Sequence, residues 1–212
     1  LTFPLTGEIK RIYKEMSKNF YSWVKDGVEV VAANAAVKVL RLQQITSGIC
    51  KGDNGKEIII GDGKARLLRG LLEDIPADKP VIVFCRFRKD LETVRFIVEG
   101  LDRKYGEISG SQKDLTEDSK MPDWVDVMGV QIQSGSAGID LTRSSIAVYY
   151  STGYSLLDYE QSLSRLHRPG QRHPVTYYRL IAEKTVDEKV FKALADRKDV
   201  ITEILNQEVA DG

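Results

Sequence analysis

Between Gln161 and His173 the chain reads Gln-Ser-Leu-Ser-Arg-Leu-His-Arg-Pro-Gly-Gln-Arg-His, a stretch with three arginines, both histidines of the molecule and no acid. Such a run concentrates positive field in one place. Arg165 and Arg168 are three residues apart and on a helix would share one face. Two guanidinium forks held side by side suit the oxygens of a phosphate whose charge grows during transfer, because each offers paired donors that stay charged at any working pH. The plainer reading is a cationic helix end that complements the helix dipole.

Upstream, Gln133-Ser-Gly-Ser-Ala-Gly-Ile-Asp-Leu-Thr142 follows an apolar run. Its small residues let backbone approach a ligand, and consecutive amides can cradle a phosphate. Gly138 sits in this turn, Ser134 and Ser136 offer hydroxyls, and Asp140 can accept from a ribose hydroxyl. Alone, the pattern reads more readily as a tight turn. Gly61-Asp-Gly63-Lys64-Ala65 imitates a phosphate loop, but its glycine spacing is too short and Ala65 has no hydroxyl for a metal, so Lys64 reads as an exposed residue at a helix start. Cys85, closing the apolar run Val81–Cys85, reads as core rather than as a reactive thiol. Tyr13, Phe20 and Trp23, at helical spacing, read as core rather than as a base-stacking platform.

These groups need elements to position them. Gly7 to about Ser47 has the periodicity of two helices. Lys51 to Lys64 contains four glycines and the triplet Ile58-Ile59-Ile60, which predicts a loop or small hairpin before a helix over Ala65 to Glu73. Strand-like Val81–Cys85, helical Leu91–Leu101, the short Gly106–Ser109, and a run over Trp124–Gln133 follow. Strand Ile146–Tyr150, helix Ser155–His167, strand Val175–Ile181 and a closing helix Val186–Leu205 complete the alternation. Short apolar strands alternating with helices predict a parallel sheet covered on both faces, with ligands at the carboxyl ends of its strands.

Composition sets outer bounds. With 212 residues, 42% hydrophobic and 29% charged, the chain can bury a substantial core. Lysine plus arginine and aspartate plus glutamate both number 31, so a bulk polycation is excluded and any polyanion site must be local. Cys50 and Cys85 form no ligand-spaced pair, which points away from a disulfide framework or a zinc site and towards a reducing compartment. No apolar run is long enough to span a bilayer, so no membrane partner is expected. The chain opens on Leu1, which suggests a fragment of a longer polypeptide.

Taken together, Gly138-Ile139-Asp140-Leu141 and Gln161, Arg165, Arg168, Gly170 and Gln171 resemble motifs V and VI of superfamily two helicases, and more narrowly the C-terminal lobe of Swi/Snf-type DNA translocases. Pro80-Val-Ile-Val-Phe-Cys-Arg86-Phe87 is similar to motif IV, and Ile108-Ser109-Gly110-Ser111 to the short motif after it. The chain departs from the family at Ser151-Thr-Gly-Tyr154-Ser155, where an acid and then Trp-Asn-Pro are usual. The resemblance implies an α/β fold: a RecA-like parallel sheet with helices on both faces over residues 76–212, preceded by a helical N-terminal extension over 1–75.

It further implies an ATP-hydrolysing motor in which Arg165 and Arg168 act as fingers to the γ-phosphate and Gln161 places them, while Gly138 and Asp140 touch the nucleotide. ATP with Mg2+ would be held mainly by an N-terminal lobe of the same parent chain, because no G-x-x-x-x-G-K-[ST] loop is present. Double-stranded DNA would be gripped through its phosphates by Arg86, Arg88, Ser109, Ser111, Ser134 and Ser136. A cytoplasmic setting is expected, nuclear in a eukaryote. The alternatives are a DEAD-box-like RNA helicase lobe and a non-catalytic nucleic-acid or protein interaction module.

Overall fold

The computed structural model describes residues 1–25, 32–51, 56–134 and 138–204, and the side chains of all of these except 19–25, 32–34, 51 and 134. In chain order the elements are β1 (Thr2–Phe3), α1 (Gly7–Lys25), α2 (Ala32–Thr46), β2 (Ile49–Lys51), β3 (Glu57–Ile59), α3 (Gly63–Asp74), β4 (Val81–Cys85) and α4 (Arg88–Glu99). There follow β5 (Tyr105–Ile108), β6 (Val127–Gln131), a 3-10 turn (Ile132–Ser134), β7 (Ile146–Tyr149), α5 (Leu156–Ser164), β8 (Thr176–Arg179), β9 (Ile181–Ala182) and α6 (Val186–Ala195). They form two compact units. One comprises Leu1, Ala65–Thr152 and Leu157–Leu180, the other Thr2–Lys64, Gly153–Leu156 and the chain from Ile181 on. Phe20 and Trp23 lie outside the described side chains.

The first unit is built on a five-stranded sheet of order β5-β6-β4-β7-β8, every pair parallel. Its central strand, β4, is Val-Ile-Val-Phe-Cys and is buried at every position. The even apolarity follows from having helices on both sides, and the β-branched side chains suit the pleat. Val81, Val83 and Cys85 pack with Leu68 and Leu72 of α3 and with Leu91, Val94, Ile97 and Val98 of α4. Phe84, on the other face, stacks on Tyr149, with ring centroids 5.1 Å apart, and Tyr149 meets Tyr159 of α5 at 5.3 Å. The RecA-like α/β arrangement expected from the resemblance is therefore present. Gly129 has no side chain for a local reason, since a Cβ there would collide with the Tyr105 phenol.

Two arginines in this unit serve backbone. Arg103 donates to the carbonyls of Leu72 and Lys79 and at 3.4 Å to that of Ile75, closing the end of α3. Arg143 donates to those of Pro122, Asp123 and Val125.

In the second unit β1 pairs with β9 in parallel and β2 with β3 in an antiparallel hairpin. The expected hairpin before α3 is thus found. Glycines there allow close packing rather than phosphate binding: a Cβ on Gly63 would strike the Phe3 ring, and one on Gly48 the Gly61 carbonyl. Tyr13 is buried and its hydroxyl accepts from Val186 N–H at 2.7 Å.

Two expectations are corrected. Lys64 is not exposed: its side chain is 1% accessible and its Nζ lies 2.8 Å from Asp187 Oδ2. Asp187 Oδ1 also accepts from the Thr46 hydroxyl at 2.9 Å, so the buried carboxylate is matched by a charge and a hydrogen bond. The closing helix does not run unbroken to Leu205, which lies outside the described residues. It stops at Ala195 because Arg197 takes a left-handed φ of 54°, with Arg197 N–H bonded to Leu194 O and Lys198 N–H to Ala193 O. Helix resumes over 200–204.

Replacing Lys64 by Met strands a carboxylate in the interior, and urea denaturation should show a loss of about 3–5 kcal/mol. Arg69→Met breaks only the exposed Arg69–Glu73 pair and should change stability by less than about 1 kcal/mol.

Candidate functional site

Because all five strands run the same way, their carboxyl ends share one edge, and Arg86, Arg88, Ser109 and Ser111 lie just beyond it. Arg86 follows β4 and is half-buried, while Arg88 opens α4 and is exposed. The turn holding Arg86 is pinned where Arg86 N–H donates to Ser151 Oγ at 2.7 Å. Ser151 in turn donates to the buried Asp90 carboxylate, which also accepts from Phe87 N–H at 3.4 Å. In the loop that departs from the family, Ser151 thus joins the ends of β4 and β7 through an acid supplied by α4.

Beyond β5, Ser109 Oγ donates to Glu107 Oε1 at 2.7 Å and lies 3.3 Å from Ser111 Oγ. With its single proton on Glu107, Ser109 accepts from Ser111, so both hydroxyls are engaged within the turn. Beyond β6 the chain enters the 3-10 turn at Ile132–Ser134. The side chain of Ser134 and all of Ser136 lie outside the described residues.

A cavity of about 580 Å³ is lined by Gly138, Ile139, Gln161, Ser164, Arg165, Arg168 and Pro169. Four of the five residues predicted for nucleotide and transfer chemistry therefore meet at one place. No carboxylate is among its lining residues, so the donor set suits an anion. Gly138 holds φ at 98°, a conformation that side chains resist.

The two arginines are not alike. The shared helical face expected of them is corrected, because α5 ends at Ser164 and only one looser turn follows, with Leu166 and His167 N–H both bonded to Leu163 O. Pro169 and the left-handed Gly170, φ 108°, stop the helix there. Arg165 is buried, 7% exposed, and Arg168 is exposed. Burial lowers the Arg165 pKa against the opposing influence of Asp158 and Tyr149, yet a guanidinium keeps its charge at any working pH. Arg168 Nη1 donates to Ile139 O at 3.2 Å, and Leu141 N–H to Arg165 O at 3.3 Å, tying the two motifs together.

Asp140 is not among the residues lining the cavity. Its Oδ1 accepts both the N–H and the hydroxyl of Thr142, at 2.9 and 2.7 Å. Burial works to raise its pKa, but these bonds and the charges of Arg168 and Lys120 outweigh it and hold the carboxyl below its ordinary value.

Gln171, part of the resemblance but without a role assigned from sequence, holds the turns around the site. Its Nε2 faces the carbonyls of Thr142, Ser144 and Leu166 at 3.1, 2.8 and 3.4 Å, and its Oε1 accepts from His173 N–H at 3.0 Å. One side chain so clamps the turn after the arginines to the turn after Asp140. The helix before them is seated by aromatic groups: Tyr149 OH pairs with Ser162 Oγ at 2.6 Å, Tyr177 OH donates to Leu163 O at 3.2 Å, and Arg179 Nη2 to Tyr159 OH at 2.7 Å. Regular tyrosines in β7 and β8 were the available signal.

A RecA-like lobe with a cationic cavity formed where the turn at Gly138 meets the end of α5 is the class these features define. The chain belongs to the helicase conserved C-terminal domain family, whose model matches residues 63–170. Its relatives are Swi/Snf-type helicases. It is 28% identical over 140 residues to the ATP-dependent helicase fft1 of Schizosaccharomyces pombe, covering 64% of this chain and 15% of that protein. It is 29% identical over 159 residues to the Drosophila melanogaster homologue of SWI/SNF-related matrix-associated actin-dependent regulator of chromatin subfamily A containing DEAD/H box 1, covering 71% and 19%. The chain thus spans less than a fifth of these relatives. The Sulfolobus solfataricus SWI2/SNF2 ATPase core, solved in complex with dsDNA, shares the fold with a TM-score of 0.68 at 20% identity, over 96% of this chain and 45% of that one. The C-terminal part of the Fun30 ATPase domain does so at 0.55 and 21% identity, over 70% and 54%.

Gln171→Leu should destabilise the lobe by about 1–3 kcal/mol, read by urea denaturation, with faster hydrogen exchange at the Leu141 and His173 amides. For Asp140 the sign follows from its depressed folded pKa. The stability it lends is fully present above the ordinary carboxylate value of about 3.9 and is lost as pH falls through the lower folded value. Asp140→Asn should therefore lower stability at neutral pH and converge with the parent as pH falls below about 4, flattening the acid limb, as followed by thermal melts across pH.

Proposed function

We propose that this chain is the C-terminal motor lobe of an ATP-dependent double-stranded DNA translocase. The observation that carries the reading is the acid-free cavity in which Gly138, Gln161, Arg165 and Arg168 converge. Family membership and the Swi/Snf-type relatives support it.

When bound, ATP with Mg2+ supplies the γ-phosphoryl group whose charge grows during transfer. Arg168, exposed at the cavity rim, reaches outward to the phosphate as a finger, while the buried Arg165 adds fixed positive charge behind it. Gln161 places the pair, and Gly138 lets backbone approach the nucleotide. Asp140, held by Thr142, keeps Oδ2 as an acceptor for a ribose hydroxyl. Among the described residues no group of three or more His, Cys, Asp or Glu is placed to hold a metal ion. In this reading the Mg2+ ligands and phosphate loop belong to an N-terminal lobe of the parent protein, and this chain alone does not hydrolyse ATP.

Grip on DNA comes from Arg86 and Arg88, with Ser109, Ser111, Ser134 and Ser136, through phosphate contacts that read no sequence. From Lys79 to Lys104 seven basic residues face four acidic ones, but Arg103 is spent on carbonyls and Arg95 pairs with Glu107 at 2.9 Å. Affinity of this lobe by itself is therefore weak and salt-sensitive. No helix among the described residues is long and apolar enough to cross a membrane. We place the protein in the cytoplasm, or in the nucleus of a eukaryotic source.

The test is ATP turnover by the full-length protein with and without duplex DNA, beside Arg168→Ala and with this chain alone as control. DNA-stimulated turnover, absent from the chain alone and reduced by roughly a thousandfold or more in the variant, is the expected result. Turnover unchanged in the variant refutes the finger. Stimulation by RNA but not by DNA moves the protein to the RNA helicases.

A further inference from the structure

A second cavity, of about 600 Å³, lies in the unit that holds α1. Lys10, Lys14 and Lys18 line it from one side and Lys184 from the other, with Tyr13 behind them. The three lysines recur every four residues along α1, which places them on one face about 6 Å apart along the axis. That spacing is on the order of the distance between successive phosphates on one nucleic-acid strand.

Charge on α1 is sorted by face. The acids Glu8 and Glu15 both pair with Arg11, at 3.5 and 3.0 Å. All four lysines are exposed, and among the described residues none of their ammonium groups has a carboxylate partner. The single acid at the cavity, Glu183, accepts from the Thr2 hydroxyl at 2.9 Å. The position of Lys184 is fixed by its backbone, which takes a left-handed φ of 56°, while its N–H donates to Glu188 Oε1 at 2.9 Å and Glu183 N–H donates to Phe3 O at 2.9 Å. Tyr13 is likewise immobilised through Val186.

We infer that this lysine-lined cavity is a second phosphate-backbone contact for duplex DNA, formed by Lys10, Lys14 and Lys18 along three successive phosphates with Lys184 opposite. A concave, cationic surface of regular spacing fits a regularly charged strand. The inference rests on the proposed function only in taking duplex DNA as the substrate, and it involves none of the same residues.

The experiment is fluorescence anisotropy of a labelled duplex with the 212-residue chain, measured across salt concentrations. It compares the chain with the variant Lys10→Gln/Lys14→Gln/Lys18→Gln and with Arg86→Gln/Arg88→Gln, and circular dichroism confirms that each variant is folded. Loss of three phosphate contacts should weaken binding by about tenfold or more and reduce the slope of log affinity against log salt by about 2 to 3.

If the lysine variant binds DNA as the parent does while the arginine variant is weakened, the inference is overturned and the translocase reading stands. If the parent shows no duplex binding even at low salt, the inference is overturned, while the translocase reading is decided by ATP turnover of the full-length protein. A parallel arm uses vesicles of phosphatidylserine. If the lysine substitutions abolish vesicle binding and leave DNA binding intact, the ligand is a membrane surface and the inference is overturned.

Discussion

The burial of β4 on both faces and both edges is the constraint on which the sheet unit is arranged. A strand flanked by parallel partners and covered by helices leaves no room for chemistry along its length, so polar groups must wait for its carboxyl end. The same holds for β6 and β7, whose side chains are nearly as inaccessible. Parallel register then gathers the turns after every strand on one edge. Arg86, Ser109 and Ser134, distant in sequence, become neighbours of that edge without any direct attraction between them.

Placing the two arginines requires more than the sheet. Tyr149 contributes on both levels, stacking on Phe84 of the central strand and hydrogen-bonding Ser162 of α5, so the helix that leads to Arg165 is referenced to the core. Gln171 completes the arrangement from the far side with an amide group that faces three carbonyls. Neither group touches the cavity, yet both limit how far its lining can relax. Positioning of this kind is what electrostatic recognition of a phosphate needs, since charge that must reorganise on binding loses much of its effect.

Much of the architecture was legible because the signals are local. The apolar run Val81–Cys85, the alternation of strand and helix, and the spacing of Gln161, Arg165 and Arg168 each follow from short-range pattern. What escaped depends on partners far along the chain or on conformation. Lys64 resembles any exposed lysine until Asp187 is folded onto it, and nothing local to either residue announces the pair. Arg165 and Arg168 keep helical spacing in sequence, but the stop at Pro169 and Gly170 divides them into a buried and an exposed group. The commitment of Asp140 to Thr142 was within reach, because an aspartate two residues before a threonine is a familiar local hydrogen-bonding pattern. Arg197 ends α6 in a conformation that glycine usually adopts, so no breaker marked the stop.

The pairing of β1 with β9 has a consequence for biosynthesis. Thr2 and Phe3 find their strand partners only at Ile181 and Ala182, and the core around Tyr13 waits for Val186 in the same way. At a translation rate of about 5–20 residues per second, the first strand emerges on the order of ten to forty seconds before its partner. The segment over Ala65–Thr152, by contrast, carries four of its five sheet strands in one continuous stretch. Order of synthesis therefore favours assembly of the sheet first, with α1 and its lysines exposed on an unfinished unit until the last part of the chain is made.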